Sequence, residues 1–260
     1  MEKTKYALVT GATSGIGYEL AKQFAKNNYN LIIVARPSDN LERVAKELSA
    51  EYSVKVVPIG KNLFSDGAAL ELYNEVKATG ITVNILVNDA GQGIYGKFFE
   101  EDLDRQLQII HLNVVSLTTL TYLFLKDMVA RNEGKILQLA STVSILPAPL
   151  QAVYCGTKAY VLNFTEAIIN EVKDTNVTVT ALQPGVTDTD FFNKAGAQNS
   201  KLVQDKSAMS NPADVAKDGY EALMKGEEKI VSGFKNKVQI AMANITPDSM
   251  LAATIRKESE

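Results

Sequence analysis

Seven short apolar runs alternate with longer stretches of helical periodicity, and no other feature constrains this chain as strongly. The runs are Tyr6–Thr10, Asn30–Ala35, Val54–Pro58, Val83–Asn88, Lys135–Ala140, Val177–Gln183 and Lys229–Ser232. They are close to continuously apolar rather than strictly alternating, which is what a strand covered on both faces requires. Between them lie Ile16–Asn28, Leu41–Tyr52, Asp66–Thr79, Glu100–Arg131, Ala152–Asp174 and Asn211–Lys225. These place apolar residues at helical spacing, as with Ile16, Leu20 and Phe24. Such repetition predicts an α/β fold: a parallel sheet of about seven strands, doubly wound, with helices on both faces.

No linker, repeat or low-complexity tract interrupts the 260 residues, so residues 1–260 read as a single domain. Residues 188–210, weakly periodic and polar, read as a substrate lid. Residues 234–260 form a C-terminal tail with apolar residues at helical spacing and a break at Pro247; it packs on the domain, on a second subunit or at a surface. The formal net charge is −3, with Lys and Arg spread along the chain. No basic field is present to attract nucleic acid or an anionic membrane, so neither partner is expected. The single Cys155 cannot form an internal disulfide and reads as a small packed residue. No leader pattern precedes the first run, and no run reaches about 18 apolar residues, so a cytoplasmic protein is expected. No cluster of His, Cys, Asp or Glu has metal-ligand spacing, so no metal is expected. His111 reads as a packed helix histidine.

The first run ends in Thr10-Gly11-Ala12-Thr13-Ser14-Gly15-Ile16-Gly17, and a helix follows. Glycine permits a tight turn and a close backbone approach to a pyrophosphate, and the helix N-terminus offers N–H groups and a positive dipole end. At the end of the second run stand Ala35 and Arg36. An acid near this point binds the ribose 2′-OH of NAD, whereas an arginine pairs with the 2′-phosphate of NADP. Arg36 therefore favours NADP; a solvated loop arginine is the plain alternative. Asp39 is also near but reads better as a helix cap before Leu41. Tyr154 and Lys158 are four residues apart on one helical face. A neighbouring ammonium favours the phenolate, which brings a tyrosine into acid/base range.

The glycine string, Asn88-Asp89-Ala90-Gly91, Asn113, Ser141, Tyr154-x-x-x-Lys158 and Pro184-Gly185, in this order, resemble the short-chain dehydrogenase/reductase family from about Lys5 to Ser232. The resemblance implies a Rossmann-type fold and an oxidoreductase that transfers a hydride between NADP(H) and a carbonyl/alcohol pair. Tyr154 would be the acid/base and Lys158 would also bind the nicotinamide ribose. Ser141 would hold the carbonyl oxygen, and Asn113 would anchor a water in a proton relay. Gly11, Thr13, Ser14, Gly15, Ile16 and Gly17 would cradle the phosphates. Asn62, with Leu63, would lie at the adenine, where many members have an aspartate. Asn88, Ala90 and Gly91 would sit beside the adenosine ribose and phosphates, and Pro184, Gly185, Val186 and Thr187 would line the nicotinamide. Asp89, in place of a second asparagine, adds a charge near the loop unless it pairs. Ile94, Tyr95, Val143, Leu146, Ala148, Leu150, Phe191 and Phe192 suggest a hydrophobic small-molecule substrate. The family also implies a homodimer or homotetramer built on the long helices. The alternative function is a non-catalytic, NADP(H)-sensing binding protein.

Overall fold

The computed structural model describes residues 5–198, 200–204, 209–243 and 245–259. Strand β1 (Tyr6–Thr10) turns through glycines into α1 (Gly15–Lys26), β2 (Asn30–Ala35) leads to α2 (Asp39–Tyr52), and β3 (Val56–Gly60) to α3 (Ala68–Ala78). After β4 (Val83–Asn88) comes a long helix in three parts: α4 (Leu103–Ile110), a π-helical turn (His111–Ser116) and α5 (Leu117–Ala130). Next are β5 (Gly134–Leu139), a 3₁₀ turn at Thr142–Ser144, α6 (Ala152–Glu171) and β6 (Val177–Gln183). Two short helices, α7 (Phe191–Lys194) and α8 (Lys201–Gln204), precede α9 (Pro212–Lys225), β7 (Lys229–Val231) and the tail helices α10 (Phe234–Ala243) and α11 (Asp248–Ser259).

The seven strands form one parallel sheet in the order β3-β2-β1-β4-β5-β6-β7. Successive side chains of β1 point to opposite faces, and each face has its own core. Ala7 and Val9 join Leu20 and Phe24 of α1, Leu48 of α2 and Leu223 of α9. Tyr6 and Leu8 join Leu72 of α3, Phe124 and Met128 of α5 and Ile168 of α6. Burial on both faces explains why the strands read as continuous apolar runs.

Three local expectations need correction. β3 begins at Val56 rather than Val54, because Leu31 pairs with Val56 and the Lys55 N–H is taken by Asn30 Oδ1 at 2.7 Å. Asp39 is the first residue of α2, not its cap; Ser38 holds the cap position. The predicted helix Glu100–Arg131 starts at Leu103, where Asp102 caps it by accepting the Arg105 N–H at 2.7 Å, and widens into the π turn at its middle. Contrary to the expectation from the sequence, Leu103–Ala130 is long and apolar enough to cross a membrane by length and composition. One of its faces, with Ile109, Leu120, Phe124 and Met128, is buried in the core, and the opposite face, with Leu103, Leu107 and Tyr122, is exposed.

Of the expected lid, residues 199 and 205–208 lie outside the described residues, as do 244 and 260 of the tail. The base of the lid is pinned by a parallel bridge between Thr187 and Ser210. The tail folds back, so that α11 packs against α8.

Candidate active site

The loops after β1, β2, β4, β5 and β6 all open at the carboxyl edge of the sheet, where consecutive strands leave β1 in opposite directions. They enclose a cleft of about 890 Å³. Open α/β sheets bind ligands at this switch point.

One end of the cleft is formed by the glycine turn and the start of α1. Gly11 and Gly15 adopt positive φ, +72° and +59°, and the Gly11 N–H ties the turn to Val34 O at 2.8 Å. Ser14 occupies the N-cap of α1 in extended conformation, and its side chain makes no capping bond. Of the first-turn N–H groups, those of Gly15 and Ile16 therefore face an anion site, while that of Gly17 is taken by Asp89. Gly11, Thr13, Ser14, Gly15 and Ile16 line the cleft, whereas Gly17 is buried behind them and gives its N–H to Asp89. A Cβ on Gly17 would meet Gly11 O at 2.7 Å, so the loop requires glycine there.

The other end carries Ser141, Tyr154 and Lys158. Ser141 follows β5 and caps the 3₁₀ turn, with its Oγ accepting from Val143 N at 3.3 Å and its N–H donating to Ser144 Oγ at 3.1 Å. Tyr154 stands in the first turn of α6 and is hydrogen-bonded to Ser141. Burial raises its phenol above the ordinary tyrosine value, the Ser141 bond lowers it, and Cys155 and Asp89 add to the rise. Lys158 is buried and donates to Leu139 O at 2.5 Å, with its Nζ 5.8 Å from the Tyr154 ring centre. Burial brings its ammonium down to about 8, against support from Asp89. The expected lowering of the tyrosine by the lysine is thus absent from this arrangement, because the ammonium is turned to a backbone carbonyl.

Asn113 lies in the π turn, fully buried and outside the cleft lining. Its Nδ2 donates to Gln92 O (2.9 Å) and Thr157 Oγ1 (3.0 Å), and its Oδ1 accepts from Gln92 N (3.0 Å). It clamps the Gly91–Gln92 segment to α6. Asn88 is not beside the cleft. Its Nδ2 reaches Thr121 Oγ1 and Gln138 Oε1, both at 3.0 Å, which locks β4 to β5 and α5. Its side chain points down into the sheet, and its Oδ1 is buried without a hydrogen-bond partner. Asn62 is exposed and bonded to Ser65 Oγ at 3.2 Å; Leu63 takes the cleft position beside it.

Ala90, Gly91, Arg36 and the segment Pro184–Gly185–Val186–Thr187 line the cleft as expected. Of the anticipated substrate pocket, Val143, Leu146, Ala148, Phe191 and Phe192 line it, and Ile94, Tyr95 and Leu150 do not. Leu150 is held at φ +67°, and its carbonyl accepts the Gly96 N–H at 2.8 Å. Phe191 stacks obliquely on Tyr154, with ring centres 5.0 Å apart. Sequence reasoning missed the roof. Lys235, Asn236, Gln239 and Ile255 of the tail face the cleft, and the Asn236 side chain lies against Gly185, where a Cβ would displace it. It also missed Arg105, whose guanidinium burial and Arg36 together depress. Neither has a local sequence signal, since both depend on contacts between distant segments.

The family model described as short chain dehydrogenase matches residues 5–200, and this chain belongs to that family. A very-long-chain 3-oxoacyl-CoA reductase from Bos taurus is 32% identical over 186 residues, covering 69% of this chain and 58% of the relative. The chain therefore matches under two thirds of that relative's length. Among solved structures, a short-chain dehydrogenase from Sphingobium yanoikuyae in complex with NADPH superposes with a TM-score of 0.82 at 23% identity, covering 93% of this chain and 94% of that one. A family member from Burkholderia phymatum in complex with NAD gives 0.82 at 21%, covering 92% of each.

The depressed Lys158 ammonium has a sign that can be checked. Between about pH 8 and 10.5 the unfolded chain binds more protons than the folded one, so stability conferred at this position rises with pH. Urea unfolding of wild type and Lys158→Met should show the wild type gaining on the variant from pH 8 to 10. A constant difference would mean that the ammonium is solvated.

Proposed function

We propose that this chain is an NADP(H)-dependent oxidoreductase acting between a carbonyl and an alcohol on a hydrophobic small molecule. One observation carries the reading: Ser141, Tyr154 and Lys158 meet in a cleft whose far end is the uncapped N-terminus of α1. The residues fit a dinucleotide, since the glycine turn leaves no room for a Cβ at Gly17 and Ser14 leaves the start of α1 without a side-chain cap. When bound, the nicotinamide supplies or accepts the hydride.

Ser141 Oγ and the Tyr154 hydroxyl, already hydrogen-bonded to each other, hold the substrate oxygen between them. The raised Tyr154 phenol stays protonated in the resting state and gives its proton to the oxygen as negative charge develops there. Lys158, once turned from Leu139 O, would stabilise the phenolate left behind and hold the nicotinamide ribose. Asn113 acts at one remove, by fixing Gln92 and Thr157 and holding a relay water. Val143, Leu146, Phe191 and Phe192 exclude water and favour an apolar chain next to the reacting carbon. The bovine relative, named for 3-oxoacyl-CoA reduction, supports a substrate that joins a carbonyl to an apolar tail.

NADP is favoured over NAD by Arg36, which opens onto the cleft at the end of β2 and makes no ion pair among the described residues. Ala35 supplies no acid for a 2′-OH, and Arg105 brings a second guanidinium close enough to feel the first. A 2′-phosphate would satisfy both. A second copy of the chain is the partner proposed for the outer face of the long helix, where Leu103, Leu107, Val115 and Tyr122 are exposed alongside Tyr160.

Tyr154→Phe should cut turnover of a hydrophobic ketone with NADPH by about 10²–10⁴-fold while NADPH binding, followed by nicotinamide fluorescence, persists; unchanged turnover removes Tyr154 from the chemistry. Arg36→Ala should weaken NADPH by about tenfold or more and leave NADH unaffected. Equal losses for both cofactors would defeat the 2′-phosphate role. Light scattering should give at least twice the 28.3 kDa chain mass; a monomer at micromolar concentration would refute the assembly.

A further inference from the structure

Among the described residues, Asp89 is the acid that lies beneath the glycine turn at one end of the cleft. Thr10 and Asn88 pair across β1 and β4, so the residue after Asn88 is delivered to the underside of the glycine turn. There the Asp89 and Ala90 N–H groups donate to Thr10 Oγ1 at 3.1 and 3.0 Å, which fixes the backbone. The carboxylate turns toward α1. Its Oδ2 stands 2.8 Å from where a Cβ on Gly11 would lie and closer still to that position on Gly17, whose N–H it accepts. An anion is therefore already seated within the first turn of the helix whose positive end faces the phosphate site.

The groups that face this carboxylate come from three elements. α1 contributes the Gly17 N–H, and α6 contributes the Lys158 ammonium and the Tyr154 phenol. The π turn contributes only the neutral Asn113 amide, across Gly91. Among the described residues, Lys158 is the one cation that holds Asp89 ionised. A pyrophosphate at the N-terminus of α1 would bring more negative charge to the same turn and displace water from the cleft wall that Asp89 helps to line. Both changes favour the neutral acid.

From this geometry we infer that Asp89 takes up a proton when the dinucleotide binds, which makes it a positioning residue that ties cofactor affinity to pH. Burial already lifts its carboxyl to about 7 in the free protein, so the uptake falls in the neutral range. Below that point the acid is neutral beforehand and binding meets no opposing charge. Above it, each binding event must also bind a proton, and affinity falls with rising pH. The inference rests on the dinucleotide reading of the cleft.

The test is calorimetric titration of the full chain with NADPH, in paired buffers of different ionisation enthalpy, from pH 6 to 8.5. Wild type should take up more than about half a proton at pH 7.5, and Asp89→Asn correspondingly less. The ratio of wild-type to variant Kd should grow with pH, toward a limit of about tenfold per unit. The 2′-phosphate of the ligand titrates identically in both arms and cancels. Equal uptake, or parallel Kd profiles, overturns the inference and leaves the dinucleotide reading intact; uptake that persists in Asp89→Asn transfers the proton to Lys158. If the variant does not fold, absence of uptake by wild type on binding NADH, which carries no 2′-phosphate, at pH 7.5 is sufficient to overturn it. Failure of wild type to bind either NADPH or NADH at any pH would instead defeat the dinucleotide reading, and this inference with it.

Discussion

Pairing of β1 with β2 on one side and β4 on the other is the interaction on which the site depends. Because those pairs are parallel and share one register edge, Thr10 ends level with Val34 and Asn88. The glycine turn, Arg36 and the Asp89–Gly91 segment are thereby delivered to one rim of the sheet. The next pairs, β4 with β5 and β5 with β6, bring Ser141 and Pro184 to the same rim. The backbone seals this arrangement directly: Thr142 N–H donates to Pro184 O at 2.9 Å, and Ala140 N–H to Leu182 O at 2.9 Å.

The second determinant is electrostatic. Lys158 and Asp89 share a weakly solvated corner, where each supports the charge of the other against burial. Tyr154, beside them, is raised by the same burial. Three groups with ordinary values spread from about 4 to 10.5 are thus coupled, and a charge introduced at the phosphate end is felt at the tyrosine end. This coupling follows from the meeting of α1, β4 and α6, and from no one of those segments alone.

The cleft is closed by parts of the chain with weak sequence patterning. α7 places Phe191 against Tyr154, and the tail places Asn236 against Gly185 and Ile255 at the wall. The core beneath is held by apolar faces such as Phe24, which packs edge-on to both Tyr29 and Tyr220. The sheet thus fixes Ser141, Tyr154 and Lys158, and the cover of α7 and the tail shapes the cleft above them.

The amino-acid sequence by itself determined the strand–helix alternation, the two-faced burial of the strands and the reading of the glycine turn. It also located Tyr154, Lys158 and Ser141. These are local properties, set by periodicity, by the conformational freedom of glycine and by the four-residue spacing of a helix turn. Only the tertiary structure decided that Asn88 looks down into the β4–β5 seam while Asp89 looks across at α1, since adjacent residues at a strand end take opposite faces. Only it turned Lys158 to Leu139 O, widened the helix at Asn113, brought Arg105 within electrostatic reach of Arg36 and folded the tail over Gly185. Each of those outcomes joins residues far apart in the chain, and no window of sequence contains both partners.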